Sequence, residues 1–371
     1  MGETLARIAD EAYGRVVRPL MFLTRPDTAH ALTIRALSLL DSLPAVARAL
    51  QPRFDASEAL ITGGVQLPGP VMVAAGLVKG HGFDDENRAV EAAHHANIIP
   101  GWRTIPMLCG PVEIGSFTRF PRIGNPPPVL WRDVATRSTQ NRIGLRNPGA
   151  RAASVFLSTN RPAGPFGLSI ATTPGESDPV KQSQHVSESI GLFLERGVVP
   201  AWFTINLSCP NTEDDPQSNQ TEQLARQVSE AAVAAAGDVP VWVKIGPDLS
   251  DPQYQTLVDT FDATGVKAVV ATNTLAAPVA QTQLSGGFGG GRLFERALAV
   301  VGRLRALRER REYKFDIIGC GGVMDGRSLR SYTDAGAKAV QVWSALVYRG
   351  PFAPTRIGRE AMVDTGGEQI V

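Results

Sequence analysis

The residues with the clearest capacity for chemistry lie in the stretch TINLSCPNT at positions 204–212. A mostly apolar run over 199–205 indicates a buried strand, and it ends abruptly in a segment that contains Asn206, Cys209 and Asn211. Two carboxamides can donate and accept hydrogen bonds around a planar polar ring, and a thiol can move a proton. We therefore expect a site for a polar heterocycle at the carboxyl end of this strand.

Composition limits the classes of protein to which the chain can belong. Its 371 residues suit one α/β barrel with an appendage, and 43% hydrophobic and 20% charged residues are ordinary for a globular protein with a full core. A net charge of +1 gives no basis for nucleic-acid binding. The three cysteines, Cys109, Cys209 and Cys320, are widely spaced, so we expect a reducing compartment and neither a disulfide framework nor a metal site.

Apolar runs recur along the chain in a pattern that predicts a parallel barrel. Helical patterns follow most of them, for example at 222–236, 253–264 and 293–308. Alternating strands and helices favour an α/β fold of the (β/α)8 TIM-barrel type over a doubly wound sheet, and no GxGxxG motif supports a dinucleotide fold. We predict the eight strands at Val71–Ala75, Val112–Gly115, Phe166–Ala171, Phe203–Ile205, Val241–Lys244, Ala268–Ala271, Phe315–Gly319 and Ala339–Val342.

Two segments before the barrel have patterns of their own. Residues 3–50 predict two or three short amphipathic helices, interrupted at Pro26 and rich in arginine. This segment is either a helical cap packed on the core or a surface that lies in a membrane interface. Residues 60–69 predict a hairpin with Gly63-Gly64 as its turn. We expect no signal peptide, because the first eleven residues include three acidic side chains, and no membrane-spanning run.

Glycine-rich turns follow the seventh and eighth predicted strands. Gly319-Cys320-Gly321-Gly322 and Trp343-Ser344 stand where barrels bind phosphate groups through backbone NH donors. A tight turn explains these glycines equally well. A second glycine-rich stretch, GGFGGG at 286–291, is compatible with a flexible loop.

Several segments together resemble those of the dihydroorotate dehydrogenases, flavin enzymes that oxidise dihydroorotate to orotate in UMP biosynthesis. The similarity rests on TINLSCPNT, on VKIGPDLS at 243–250 and on VATNT at 270–274, and it extends over nearly the whole chain. It implies a barrel that binds flavin mononucleotide (FMN), because side chains alone cannot accept a hydride.

The resemblance also implies roles for individual residues. Cys209 has the position of the catalytic base, which removes the C5 proton while the C6 hydride passes to the flavin, although a structural thiol is the alternative. Lys244 would place a fixed positive charge beside the flavin ring. The substrate positions are Lys79, Asn141, Asn206, Asn211, Asn273 and Thr274. The flavin positions are Ala75, Gly76, Leu77, Val78, Lys79, Ser116, Ser169, Asn206, Lys244, Thr272, Gly290, Gly322, Trp343 and Ser344.

The amino-terminal sequence resembles one class within this family. RPLMF followed by PDTAH is similar to the start of the quinone-linked, membrane-associated enzymes, whose first helices form the mouth of a quinone tunnel. This similarity implies a quinone-tunnel segment over 1–55, a barrel over 56–365, and a tunnel lined by His30 and Arg132. It also implies peripheral attachment to the cytoplasmic side of the cell membrane. An ordinary helical role for His30 is the alternative.

Other positions depart from that class. The quinone-linked enzymes use serine as the base, whereas Cys209 resembles the soluble classes. Val78 replaces an aspartate, Ser169 replaces an asparagine, and ATTPGES at 171–177 differs from the usual GKNK-type segment. Three hypotheses therefore stay open: a quinone acceptor, a soluble acceptor such as fumarate, or a divergent, non-catalytic barrel that binds flavin or a pyrimidine.

Two segments do not fit a bare barrel. Residues 96–108 are longer than the usual connection between the first helix and the second strand. Residues 120–141 are rich in proline in their first half and correspond to an inserted strand pair near the flavin.

Overall fold

The computed structural model describes residues 2–52, 59–208 and 221–363. Cys209 and Asn211, two of the predicted site residues, lie outside these ranges. Strands in the described residues, in chain order, are β1 Leu60–Thr62, β2 Val65–Leu67, β3 Val71–Val73, β4 Val112–Phe117, β5 Leu130–Asp133, β6 Ser138–Asn141, β7 Phe166–Ala171, β8 Trp202–Asn206, β9 Val241–Ile245, β10 Ala268–Ala271, β11 Leu275–Pro278, β12 Ser285–Gly290, β13 Asp316–Cys320 and β14 Ala339–Val342.

Helices surround these strands and precede them. In chain order they are α1 Gly2–Ala12, α2 Arg18–Phe22, α3 Pro26–Asp41, α4 Pro44–Leu50, α5 Glu86–His95, α6 Thr104–Cys109, α7 Gly149–Thr159, α8 Pro179–Leu194, α9 Glu222–Ala236, α10 Asp251–Ala263, α11 Phe294–Arg311, α12 Gly326–Asp334, α13 Ser344–Arg349 and α14 Ala353–Val363. A π-helical turn at Tyr13–Val17 joins α1 to α2.

The strands β3, β4, β7, β8, β9, β10, β13 and β14 form a closed barrel in that order, and β14 pairs with β3 to complete it. All of these pairings are parallel. Each strand coincides with one of the eight predicted apolar runs, so the prediction of a (β/α)8 TIM barrel is confirmed. The carboxyl ends of the strands therefore surround one rim.

A hairpin covers the opposite end of the barrel. Strands β1 and β2 pair antiparallel across the predicted Gly63-Gly64 turn. Trp242 stacks on Trp202 with ring centroids 4.5 Å apart, and its Nε1 donates to the Gly63 carbonyl at 2.9 Å. The Gly63 NH donates in turn to Asp316 at 2.8 Å. Stacked indoles and a hydrogen-bonded turn thus close the amino-terminal end.

A small antiparallel sheet stands beside the rim. Its order is β11-β12-β6-β5, so the strand pair expected within 120–141 is present and joins a second hairpin that follows β10. Gln140 fixes the two hairpins to each other, because its buried Nε2 donates to the Ala277 carbonyl at 2.8 Å and to the Gly286 carbonyl at 3.0 Å.

The amino-terminal segment contains more helices than predicted: α1 to α4 and the π turn, instead of two or three short helices. It packs on the barrel through specific contacts. The Tyr13 hydroxyl donates to the Val347 carbonyl at 2.7 Å, Arg18 donates to the Tyr348 carbonyl at 2.9 Å, and Arg356 pairs with Asp10 at 2.7 Å. None of the helices within the described ranges combines the length and apolar character needed to span a membrane.

Asp41, the last residue of α3, joins this helical segment to the 96–108 insertion. Its side chain is 4% exposed. One carboxylate oxygen accepts from Asn97 Nδ2 at 2.9 Å and the Gly101 NH at 2.7 Å. The other accepts from the NH and the hydroxyl of Thr104, at 2.9 and 2.7 Å. The insertion thus wraps around a buried carboxylate, which satisfies its backbone donors.

We expect Asp41→Ala to lower the free energy of unfolding by about 3 kcal/mol, because several buried donors would lose a charged acceptor. Chemical denaturation measures this change. The matched control is Asp84→Ala, which breaks only the exposed 3.0 Å pair with Arg88 and should change stability by less than about 1 kcal/mol. Equal effects of the two substitutions would contradict the assigned role of Asp41.

Candidate active site

A cavity opens at the rim of the barrel, between the strand ends and the small sheet. It contains about 1150 Å3 of empty space, a figure that includes open solvent at its mouth. Most of the predicted site residues line it: Ala75, Gly76, Lys79, Ser116, Asn141, Asn206, Lys244, Thr272, Asn273, Thr274, Gly290, Gly322, Trp343 and Ser344. Segments far apart in sequence thus converge on one space.

Lys244 lies at the floor of this cavity, at the end of β9. The residue is 6% exposed, and its ammonium donates to Gln341 Oε1 at 2.9 Å and contacts Cys320 Sγ at 3.5 Å. Burial raises the pKa of the Cys320 thiol, although the Lys244 charge opposes this effect. The floor therefore presents a held cation beside a protonated thiol.

Carboxamides on one side of the cavity hold one another in fixed orientations. Asn273 Nδ2 donates to Asn206 Oδ1 at 3.2 Å and to the Ser208 carbonyl at 2.9 Å. Asn206 Nδ2 donates to Ser116 Oγ at 3.1 Å, and the Asn273 Oδ1 accepts from the Thr274 NH at 2.8 Å. Such mutual bonds set which edge of each amide faces a ligand.

Three predicted flavin positions lie behind the cavity surface. Ser169 is 1% exposed, and its hydroxyl is 2.7 Å from Ser116 Oγ, so it supports a lining residue instead of lining the cavity itself. Val78 is fully buried in the main core, and Leu77 packs against that core. The structure therefore places all three next to the lining residues and not among them.

Glycines shape one end of the cavity. Gly322 has φ +70°, and a methyl group there would lie 2.8 Å from the Gly290 carbonyl oxygen and 2.6 Å from Phe294 Cβ. Gly290 has φ +84°, and its missing side chain would meet the Arg137 carbonyl at 2.6 Å. Nearby, the hydroxyls of Thr139 and Ser344 are 2.7 Å apart. Only glycine lets these backbone segments approach so closely.

Gln341 and Cys320, which both contact Lys244, are among the lining residues that were not predicted as site residues. Gln341 is the one polar side chain in the apolar strand AVQV of β14, and that exception is a signal a closer sequence analysis could use. Cys320, named above only as part of the glycine-rich turn after the seventh predicted strand, lines the cavity next to Lys244. No three-member cluster of His, Cys, Asp or Glu suited to a metal ion occurs in the part of the chain that the structure describes.

His30 lies on α3, and Arg132 lies on β5, where the small antiparallel sheet meets the amino-terminal helices. Arg132 donates to the Met21 carbonyl at 3.1 Å and to the Thr24 carbonyl, and its guanidinium stacks 4.5 Å from the Phe22 ring centroid. Burial lowers the pKa of His30 to about 4, and the positive charges of Lys79 and Arg146 add to this effect. His30 is therefore neutral near pH 7.

This shift predicts a pH dependence of stability. Because the unfolded His30 binds a proton near its ordinary pKa of 6.5 and the folded one only near about 4, the unfolded state gains protons first as the pH falls. Stability should therefore fall between pH 6.5 and 4, and His30→Gln should flatten this slope.

Unfolding free energies at several pH values measure the effect, with the ring protons of His30 followed by NMR. The control is His94→Gln, at an exposed position of α5, which should retain the wild-type slope. A His30 titration near pH 6.5 would contradict the assignment.

Comparisons with known proteins agree with this architecture. The family model described as dihydroorotate dehydrogenase matches residues 60–362. A protein of Cereibacter sphaeroides named dihydroorotate dehydrogenase (quinone) is 34% identical over 343 residues, with 90% of this chain and 88% of that protein covered. One of the same name from Mycobacterium leprae is 30% identical over 352 residues and 92% of both chains.

Solved structures show the same fold. The crystal structure of DHODH from Eimeria tenella in complex with ferulenol aligns with a TM-score of 0.75 and 21% identity, over 92% of this chain and 93% of that one. The family model covers most of the chain, and the relative from Cereibacter sphaeroides is 34% identical over 90% of it. The chain belongs to the dihydroorotate dehydrogenase family.

Proposed function

We propose that this protein oxidises dihydroorotate to orotate in pyrimidine biosynthesis, with a quinone as electron acceptor. The observation that carries the proposal is the convergence of Lys79, Lys244 and the Asn206–Asn273 pair on one rim cavity, in a chain whose relatives bear the name dihydroorotate dehydrogenase (quinone). Lys79 offers a cation for a carboxylate, and Lys244 is a buried cation at the cavity floor. Together with the oriented carboxamides, they suit an anionic pyrimidine bound next to a flavin.

The residues present fit FMN as the cofactor. Gly290, Gly322 and Ser344 line one end of the cavity and would hold its phosphate there. Lys244 and Ser116 would contact its ring system, and Trp343 would close one side. FMN would supply the two-electron acceptor that protein side chains lack.

Substrate recognition falls to charge and to oriented amides. Lys79 would bind the carboxylate of dihydroorotate, and Asn141, Asn206 and Asn273 would bind its ring amides. Because Asn206 and Asn273 are already bonded to each other and to Ser116 and Ser208, little reorganisation would accompany binding. Asn211 and Thr274 would complete this set.

We assign the base to Cys209, which would remove the C5 proton as the C6 hydride leaves. Cys209 lies outside the described residues, and the support for its role is its sequence position directly after Ser208. That serine is held at the rim, since its hydroxyl donates to the Lys244 carbonyl at 3.2 Å and its own carbonyl accepts from Asn273 at 2.9 Å.

The amino-terminal helices would deliver the quinone. Residues 1–55 would form the quinone-tunnel segment next to a 56–365 barrel, with His30 and Arg132 at its inner end. In this proposal a neutral His30 would add no charge at that end, and the Arg132 guanidinium would stay bonded to the Met21 and Thr24 carbonyls. Exposed apolar side chains on these helices suit peripheral attachment to the cytoplasmic face of the cell membrane; they are Leu5, Ile8, Val16, Val17, Leu20, Leu23, Leu32, Leu39, Leu43 and Val46.

We expect the purified protein to be yellow and its visible absorption to bleach when dihydroorotate is added without oxygen. Cys209→Ala should slow this bleaching about 100-fold or more while FMN stays bound, because a general base typically contributes about 10²–10⁴ in rate. Stopped-flow absorbance measures both variants.

The control for thiol loss is Cys109→Ala, in α6 and fully buried away from the cavity, which should bleach at the wild-type rate. A colourless protein that takes up no FMN would end the proposal. Unchanged bleaching by Cys209→Ala would instead move the base to another residue.

The proposed acceptor and membrane contact predict a second result. Leu20 and Leu23 are 59% and 85% exposed, so Leu20→Glu with Leu23→Glu should weaken binding to phospholipid vesicles at least tenfold through lost apolar burial and added negative charge. Vesicle sedimentation measures binding, and turnover with a long-chain quinone in vesicles should fall with it.

Turnover with a water-soluble short-chain quinone should be unaffected by these changes. The matched control is Val180→Glu, 62% exposed on α8, which should alter neither quantity. Fumarate that sustains turnover as well as the quinones do would favour the soluble-acceptor alternative.

A further inference from the structure

A buried carboxylate lies below the cavity floor, inside the barrel. Glu113, on β4, is fully buried, and its Oε2 accepts from Thr204 Oγ1 at 2.5 Å and Trp202 Nε1 at 3.2 Å. Its Oε1 has no hydrogen-bond partner among the described residues. Fully buried acids are rare unless they are paired with a charge, so this position requires an explanation.

Gln341 links this carboxylate to the cavity. Its Nε2 donates to Glu113 Oε2 at 2.9 Å, and its Oε1 accepts from Lys244 Nζ at 2.9 Å. Both ends of the amide are therefore specified: a flipped amide would point its NH2 group at the ammonium and its oxygen at the carboxylate. Carboxylate, amide and ammonium form one continuous chain of hydrogen bonds.

This chain balances the charge at the floor. Glu113 is fully buried, and Lys244 and Gln341 are only 6% and 1% exposed. Little water therefore screens the charges of Glu113 and Lys244. Glu113 offsets part of the positive field of Lys244 and, through Gln341, holds the ammonium by an acceptor below the cavity. Removal of one charge from such a buried set leaves the other uncompensated.

We propose that Glu113 is a positioning residue for Lys244. Through Gln341 it fixes the ammonium at the cavity floor and sets how much positive charge a bound FMN experiences. The inference rests on the proposed function, in which Lys244 contacts the flavin ring. The reduction potential of the cofactor would then depend in part on Glu113, a residue that does not line the cavity.

The test is Glu113→Gln in the FMN-loaded protein, with the flavin midpoint potential measured by dye equilibration. The substitution removes a negative charge, so reduction, which adds electrons to the flavin, should become more favourable. We expect about a tenfold shift toward the reduced form, or about +30 mV for a two-electron couple. Sulfite, which adds to flavins when positive charge is nearby, should bind about tenfold more tightly.

Gln341→Met cuts the chain but keeps both charges, and it carries the test if Glu113→Gln does not fold. The ammonium would lose its lower acceptor and be free to approach the cofactor, so the potential should again rise. The double variant should shift by less than the sum of the two single variants, since both act through one connection. Additive shifts would show that Glu113 acts without Gln341 and would overturn the positioning role.

Thr204→Val separates positioning from simple core support. It removes a donor from the same oxygen of Glu113 and leaves carboxylate, amide and ammonium in place. It should lower the melting temperature but leave the potential and the sulfite affinity at wild-type values. If Glu113→Gln or Gln341→Met behaves in this same way, the residues are structural and the inference is wrong.

Failure of the inference can be told apart from failure of the proposed function. Wild-type protein that takes up no FMN overturns both. Wild-type protein that binds FMN but is not bleached by dihydroorotate overturns the substrate assignment alone, because dithionite can still reduce the flavin for the potential measurement.

Discussion

Closure of the parallel sheet is the constraint on which the rest of the molecule depends. Because β14 pairs with β3, the strand ends have one shared centre, and side chains separated by more than a hundred residues meet there. Lys79, from the loop after β3, and Lys244, at the end of β9, line the same cavity only for this reason. An open sheet with the same strands would spread these groups along an edge.

Most of the fold could be predicted from the hydrophobic pattern of the sequence and from the positions of glycine and proline. The barrel strands were readable because buried parallel strands are short, nearly continuous apolar runs, and Gly63-Gly64 specified the hairpin turn. The amino-terminal helices were undercounted because only Pro26 was treated as a boundary. Pro19 and Pro44 also stand in first turns, where proline is favoured, and the three prolines together indicate the starts of α2, α3 and α4.

The sequence predicted which site residues lie at the ends of strands. It did not predict which side chains contact one another. Lys244 and Asn206 close apolar strands, so their position at the rim followed from sequence alone. The contact of Lys244 with Gln341 joins β9 to β14, which are not neighbours in the barrel, and no local pattern encodes it. Ser169 fits the side-chain alternation expected along β7, but the Ser116 hydroxyl lies between it and the cavity.

One departure from the family pattern has a structural counterpart. Val78, in place of an aspartate, is fully buried in the main core, which also contains Ile98, Ile99 and Ile105 of the 96–108 segment. A carboxylate at position 78 would be buried in an apolar core without water, so a valine suits this position.

The stacked indoles beneath the barrel have a consequence for how molecules come and go. The hairpin and the Trp202–Trp242 pair cover the amino-terminal end of the barrel, whereas the cavity lies at the opposite rim. A ligand of this cavity would therefore not pass along the barrel axis. The elements around the strand ends, the small antiparallel sheet among them, would control which molecules reach it.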